Sequence, residues 1–545
     1  MCFRVLEQKV KRRCEMNPSR RLLVGTIMAL LGASAATGQE KAREFEKLGQ
    51  VHFPVSCTAE AQKQFDRAVA LLHSFWYAKA AKAFTAVTET DPDCAMGYWG
   101  IGMSLWYPLW EPPSTTTLKK GSDALDKAKA SPSKTERERD YIAAIEAFYK
   151  DSHKLDHWTR ALAYEKAMEQ VYRRYPDDRE AALFYALALN ATAVPTDKTF
   201  ENQRKAGEIL ERIFAKQPDH PGVAHYIIHS FDYPPLASRA LSAARKYGQI
   251  APSVPHALHM PSHIFTRLGL WQESIQSNRD AAAPAKEQGW VFEQLHAMDY
   301  LMYAFLQGAQ DAEAKRVLDE RNSFTKEMPE NFASAYAFAA IPARYAIERR
   351  RWSEAAALEP RPSRIIYSEA ITYFARAIGS ARTGNVANAR KDLETLESLH
   401  GALIEAKQGY WADQVEIQRR AAAAWLAHAE SKRDEAISLM RAAADLEDST
   451  EKHPVTPGSI VPARELLGDL LLELHEPAQA ASEFEASLQA SPNRLHGLYG
   501  AAKAAELSGN REKAQTYYQK LMSVCSSGDG ERPELQQAKA FLAKK

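Results

Sequence analysis

Long apolar runs are scarce in this 545-residue chain, as are cysteine, glycine-rich loops and any excess of charge of one sign. The stretch Leu22–Leu31 (LLVGTIMALL) has ten residues, about half of the roughly 20 that a membrane-spanning helix needs. No other segment is apolar enough to cross a bilayer, so the mature chain is expected to carry no membrane span. The charges nearly cancel, with 70 Lys and Arg against 69 Asp and Glu, which leaves no electrostatic footprint for nucleic acid and no polybasic surface for lipid. A glycine-rich phosphate loop, a dinucleotide fingerprint, a nucleophile elbow and a Cys-x-x-Cys pair are all missing. Their absence removes nucleotide cofactors and thioredoxin-like exchange from consideration.

What the amino terminus does carry is the pattern of an export signal. Arg20 and Arg21 form a basic region ahead of Leu22–Leu31, and Ala33-Ser34-Ala35 supplies small residues for cleavage. The natural start is then Met16, residues 1–38 are an amino-terminal extension with a cleaved signal peptide, and the mature protein is expected to be periplasmic or secreted.

The remainder reads as helical pairs. In LLHSFWYAKAAKAFTAVTETDP a small residue, Ala80, is followed four later by Phe84, and Pro92 ends the unit. The next helix, in CAMGYWGIGMSLW, shows Tyr98, Ile101 and Gly102 on its packing face. Similar marks recur at Ala206, Leu210 and Pro218, at Ala240, Ala244 and Pro252, and at Ala480, Phe484 and Pro492. Ala240 follows Ala206 at the same interval at which Ala514 follows Ala480. These marks and this period resemble the tetratricopeptide repeat family, in which helix-turn-helix units of about 34 residues stack side by side. The resemblance implies an all-α, right-handed superhelical solenoid of about ten units. Its concave groove, lined by the first helix of each unit, binds peptides or proteins in that family. Composition and regularity divide the mature chain into amino-terminal repeats with irregular helices (39–150), central repeats (151–310), looser repeats (311–450) and regular carboxy-terminal repeats (451–545). Pro284 to Gly289 reads as an insertion ahead of a first helix starting at His296.

Export gives the cysteines a meaning, because the mature chain keeps Cys57, Cys94 and Cys525 in an oxidising compartment. Cys57 and Cys94 each precede the first helix of adjacent repeats. Those helices run side by side and parallel, which brings their starts together. A Cys57–Cys94 disulfide is expected, two buried thiols being the alternative, and Cys525 is left over.

The central repeats hold the chemistry. Between His220 and His263 lie six of the chain's 16 histidines, where an even spread would place roughly one. His225 and His229 are four apart, as are His259 and His263, and the second pair repeats the first after one full repeat period. At equal phase in stacked repeats, the two pairs should be neighbours facing the groove, each with its imidazoles one helical turn apart. Four converging imidazoles need neutrality or a shared cation, and imidazole is a ligand for copper, zinc and iron. We therefore expect His225, His229, His259 and His263 to form a transition-metal site, with Asp232, His256, His296 and Asp299 as further ligands or as outer groups that orient the rings. Pro261 is a difficulty, since a helix beginning there would exclude His259 and spoil the second pair. Neither pair is His-Glu-x-x-His, so the general base of a zincin-type protease is lacking. Arg344, Glu465 and Asp469 occupy the same groove-facing phase in later repeats and are candidates for holding the charged ends of a ligand.

The function read from these residues is an exported scaffold whose groove binds a ligand or protein partner at a histidine-lined metal site. Two alternatives stay open. One is a metalloenzyme, hydrolytic or oxidative, working at an open metal position, and the other is a metal-free peptide-binding groove.

Overall fold

Pro221, Pro255, Pro477 and Pro533 each stand in the first turn of a helix, where the missing N–H is not needed and φ is already set. Elsewhere polar side chains begin the helices. Thr58 caps Ala59–His73, Asp178 caps Arg179–Ala191, and Thr135 with Glu138 forms a reciprocal box at the start of Glu136–Tyr149. The computed structural model describes residues 46–109, 112–132, 134–324, 331–529 and 532–544, and all regular structure among them is helical. The export signal in residues 1–38 lies outside the described residues.

Consecutive helices form hairpins that stack side by side as an all-α solenoid over the described residues from Leu48 to Lys544. The hairpins that frame the site are Arg179–Ala191 with Glu201–Phe214, and Pro221–Phe231 with Leu241–Ile250. After them come the Pro255–His259 and Pro261–Arg267 segments against Trp271–Glu287, then Val291–Gln307 with Asp311–Asn322. The repeat marks have a packing cause. Phe84 is fully buried, and a Cβ added to Gly100 would lie 2.2 Å from its ring. Phe484 is seated the same way between Gly468 and Gly500, where added Cβ atoms would meet it at 2.7 and 2.3 Å. Glycine on the first helices therefore cuts the notch that the aromatic ring fills.

Pro261 kinks its helix without ending it. Met260 keeps right-handed helical dihedrals (φ −54°, ψ −35°), its N–H bonds to the His256 carbonyl at 2.9 Å, and the His263 N–H bonds to the Met260 carbonyl at 3.1 Å. His259 and His263 thus remain one turn apart. The expected insertion at Pro284 to Gly289 is mostly helix: Trp271–Glu287 runs through Pro284, and the next first helix begins at Val291 rather than His296.

The superhelix curls until its carboxy-terminal repeats touch its middle. Trp271 Nε1 donates to the Asn493 carbonyl (2.8 Å), and Arg494 donates to the Tyr303 hydroxyl (2.7 Å) and to Glu348 (2.6 Å). The loop around residues 450–462 enters the interior, where Lys452 meets Asp232 at 2.6 Å and the Thr456 carbonyl accepts from Tyr300 at 3.0 Å. Arg344, on the helix Phe332–Ile347, holds it there by donating to the carbonyls of Gly458 and Ser459. At the opposite end, Cys57 and Cys94 are joined with an S–S distance of 2.04 Å. Cys525 is buried, and burial pushes its thiol up to about 12. Among the described residues, no helix is long and apolar enough to cross a membrane.

Candidate metal centre

The structure gathers the central histidines into two clusters of three. His225 and His229, from Pro221–Phe231, meet His256 from the first turn of the next repeat. His259 and His263 meet His296 from Val291–Gln307. Within each cluster one nitrogen from every ring lies within 4.8 Å of the others. The clusters adjoin, with ring centroids 6.3 Å apart both between His229 and His263 and between His256 and His259. All six residues are buried. The four residues expected to share one site are thereby split between two clusters, and His256 and His296 stand as third members. His256 follows Pro255 in the first turn of its helix, at the position that Gly222 holds one repeat earlier, and its ring centroid lies 5.1 Å from that of His225.

Hydrogen bonds decide which nitrogens face inward. His225 Nδ1 lies 2.6 Å from the His73 carbonyl, which can only accept. His259 Nδ1 lies 2.6 Å from Asn278 Oδ1, and the Asn278 amide is oriented by its own bond to the Ser274 carbonyl. His263 Nδ1 lies 3.1 Å from Asp232 Oδ2, with the Tyr300 hydroxyl at 3.2 Å. Each of these Nδ1 atoms carries the proton, so each Nε2 presents a lone pair. Nε2 of His225 faces Nε2 of His229 at 3.1 Å, and Nε2 of His259 faces Nε2 of His263 at 3.1 Å. Two nitrogens about 2.0–2.1 Å from one tetrahedral zinc are separated by roughly 3.3–3.4 Å. The separation observed in both pairs is close to that.

The rings are neutral. Burial pushes His225 down to about 3 and holds His229, His256, His259 and His296 well below the ordinary histidine range. It lowers His263 as well, against the pull of Asp232. Burial would raise the Asp232 carboxyl, but Lys452, Arg267 and His263 outweigh it and hold the carboxyl well below the usual range. Asp232 accepts from Arg267 at 2.8 Å and from Lys452 at 2.6 Å. It is therefore an ionised anchor behind His263, not behind His229, its neighbour in sequence. The Lys452 amine is lowered by burial to about 8.

A third group, His73, Glu180 and His220, also has ligand-type spacing, but its hydrogen bonds give it another character. Nε2 of His73 and Nε2 of His220 lie 2.8 and 3.0 Å from the two Glu180 oxygens, and the Tyr226 hydroxyl is 2.9 Å from His73 Nδ1. Both Nε2 atoms donate to one carboxylate, so no lone pairs converge. The two imidazoles outweigh burial and hold Glu180 well below the ordinary carboxylate range. The group fixes His73, whose carbonyl in turn fixes His225.

The other candidate residues lie in internal ion pairs. Asp299 faces Arg344 at 3.2 Å, away from the imidazole nitrogens, and burial raises its carboxyl in spite of that partner. Arg344 is fully buried on Asp299 and the 450–462 loop. Glu465 pairs with Arg494 at 2.6 Å, and Asp469 pairs with His496 at 2.7 Å and Arg350 at 2.8 Å. The structure thus does not bring Arg344, Glu465 and Asp469 to the histidines, and none faces an open groove. Sequence reading missed His73, Glu180, Lys452 and Tyr300, and it did not connect Phe75, one of the aromatics clustered near the first repeat, with the histidines, although its ring centroid is 4.3 Å from that of His225. The one available signal was His73 itself, a lone histidine on the apolar face of LLHSFW.

No family model matches the chain, and no curated protein matches it. Among solved structures, one of Naa15/Naa10 bound to HypK-THB is similar at 13% identity, with 88% of this chain and 72% of that one covered and a TM-score of 0.24. A monomeric mutant of IFIT1 with Gppp-AAAA is similar at 12% identity, with 79% and 90% covered and a TM-score of 0.38.

Proposed function

We propose that this chain is an exported solenoid metalloprotein that holds two transition-metal ions side by side, one in each three-histidine cluster. The observation that carries the reading is the facing of Nε2 lone pairs. At His259 and His263 both Nδ1 protons are committed to oxygen acceptors, so the 3.1 Å contact between the Nε2 atoms is repulsive until a cation is shared. Burial makes a proton a poor choice of cation there. Copper, zinc and iron suit a neutral, all-imidazole donor set. Oxygen acceptors on Nδ1 are the usual outer partners of metal-bound imidazole.

Three protein ligands leave a coordination position for water or a bound molecule, which favours ligand binding or catalysis over storage. Hydrolytic or oxidative chemistry at such a position is the enzymatic form of the proposal. A peptide-binding groove without metal is disfavoured because the 450–462 loop already fills the interior beside the histidines. Export is supported by the signal pattern ahead of residue 38 and by the Cys57–Cys94 disulfide, which suits an oxidising compartment.

Titration of the metal-free protein with Co²⁺ tests the reading. Two equivalents should bind with the intense visible absorption of low-symmetry sites, and His229→Ala and His296→Ala should each remove one equivalent. Weak octahedral absorption without saturation, unchanged in both variants, would rule it out.

A further inference from the structure

Phe75 and Phe292, whose rings neighbour the two clusters, also line a cavity of about 550 Å³, within the range of small-molecule sites. Its walls are mainly aromatic, with Phe75, Trp76, Trp290, Phe292 and Phe332 among the lining residues. Trp76 and Trp290 meet edge to face with centroids 4.9 Å apart. Two of the rings connect the cavity to the imidazoles. Phe75 lies on the first cluster, with its centroid 4.3 Å from His225, 5.4 Å from His229 and 6.0 Å from His256, and Phe292 lies 6.1 Å from His296.

Phe75 holds this place in a left-handed backbone conformation, φ 54°. The same conformation recurs at glycine in the turns at 269, 384 and 509 and at residues with side chains in those at Ala309, Arg350, Lys407, Ser431 and His475.

We infer that this cavity binds an uncharged, planar aromatic small molecule and presents it to the metal positions behind Phe75 and Phe292. The second half of that statement rests on the metal reading above, and the occupant does not. Rings line the walls, and faces and edges of rings are what stack on a planar aromatic guest. Glu293 is the single carboxylate or amine in the lining, and burial raises its carboxyl to about 7. An anionic guest would find no cation among the lining residues, whereas an amine, hydroxyl or carbonyl on the guest would find Glu293 and Asn331.

The probe is N-phenyl-1-naphthylamine, which is neutral and fluoresces in apolar sites, with 1-naphthoate as a charged control of related shape. One probe per metal-loaded chain should bind, at least tenfold more tightly than naphthoate. Trp290→Ala and Ala78→Trp, the latter filling the exposed mouth of the cavity, should each weaken binding about tenfold while helical content and metal content stay unchanged. Absence of saturable binding, equal binding of naphthoate, or affinity unchanged in both variants would overturn the inference. A protein that takes up no metal yet binds the probe with the same sensitivity to both variants would sustain the aromatic site and remove only the metal reading.

Discussion

His259 and His263 point Nε2 at each other across 3.1 Å while Asn278 and Asp232 stand behind their Nδ1 atoms. That relationship assigns a separate task to the residues behind the rings, because they fix tautomer and ring angle without touching the shared position. Removing such a partner commonly weakens metal binding about 10- to 100-fold. Asn278→Leu should do so at the second cluster and leave the first at its original affinity, as competition with a chromophoric chelator would measure. Asp232→Asn keeps an acceptor for His263 but removes the carboxylate that Lys452 and Arg267 share, leaving Arg267 with Glu451 at 3.7 Å. It should therefore destabilise the fold by about 3–5 kcal/mol, read by urea unfolding of the metal-free protein.

Glu180 separates a structural role from a third metal site. Glu180→Gln deprives His73 or His220 of its acceptor and should cost about 1–3 kcal/mol of stability, because a buried N–H is left unpaired. Metal content should remain at two per chain. Wild-type protein with three equivalents and a variant with two would contradict the hydrogen-bonding role.

The Cys57–Cys94 disulfide closes a loop of 37 residues. By chain entropy, such a closure stabilises the fold by about 4 kcal/mol. A Cys57→Ser/Cys94→Ser variant should lose an amount of that order in urea unfolding. Metal content should not change, because neither sulfur lies in a histidine cluster. Free-thiol titration after unfolding should find both sulfurs blocked in the wild type.

The sequence showed the repeats because Phe84 and Phe484 need glycine notches at fixed spacing, and a packing rule that recurs leaves a period. The same period placed His229 beside His263. It was silent on His256, since its counterpart one repeat earlier is Gly222, and on the kink that keeps His259 in a helix through Pro261. Curling of the superhelix was not legible either. It depends on contacts such as Lys452 with Asp232 and Trp271 with Asn493, whose partners come from distant repeats and for which no local pattern exists. Arg344, Glu465 and Asp469 share the groove-facing phase, but the curl turned their surroundings from groove to interior and each acquired an internal partner.

Acid should loosen the loop that closes the site. His453 packs against Phe332 with centroids 4.5 Å apart, and its Nδ1 accepts the Val455 N–H at 3.2 Å. Burial lowers it from the unfolded value of 6.5 to about 3. The unfolded chain therefore binds the proton more readily, and the stability from neutral His453 is complete above pH 6.5 and is lost as pH falls toward 3. His453→Phe should flatten the decline of Tm between about pH 6.5 and pH 4 relative to wild type. An equal decline in both proteins would show that His453 titrates normally in the fold.

The most direct measurement is elemental analysis of the mature protein, purified without an affinity tag from an exporting host, beside a His225→Ala/His259→Ala variant of matched helical content. About two equivalents of copper, zinc or iron per chain in the wild type, and essentially none in the variant, is the expected result. No bound metal in either protein, even after reconstitution with each ion, would contradict the two-cluster metal centre.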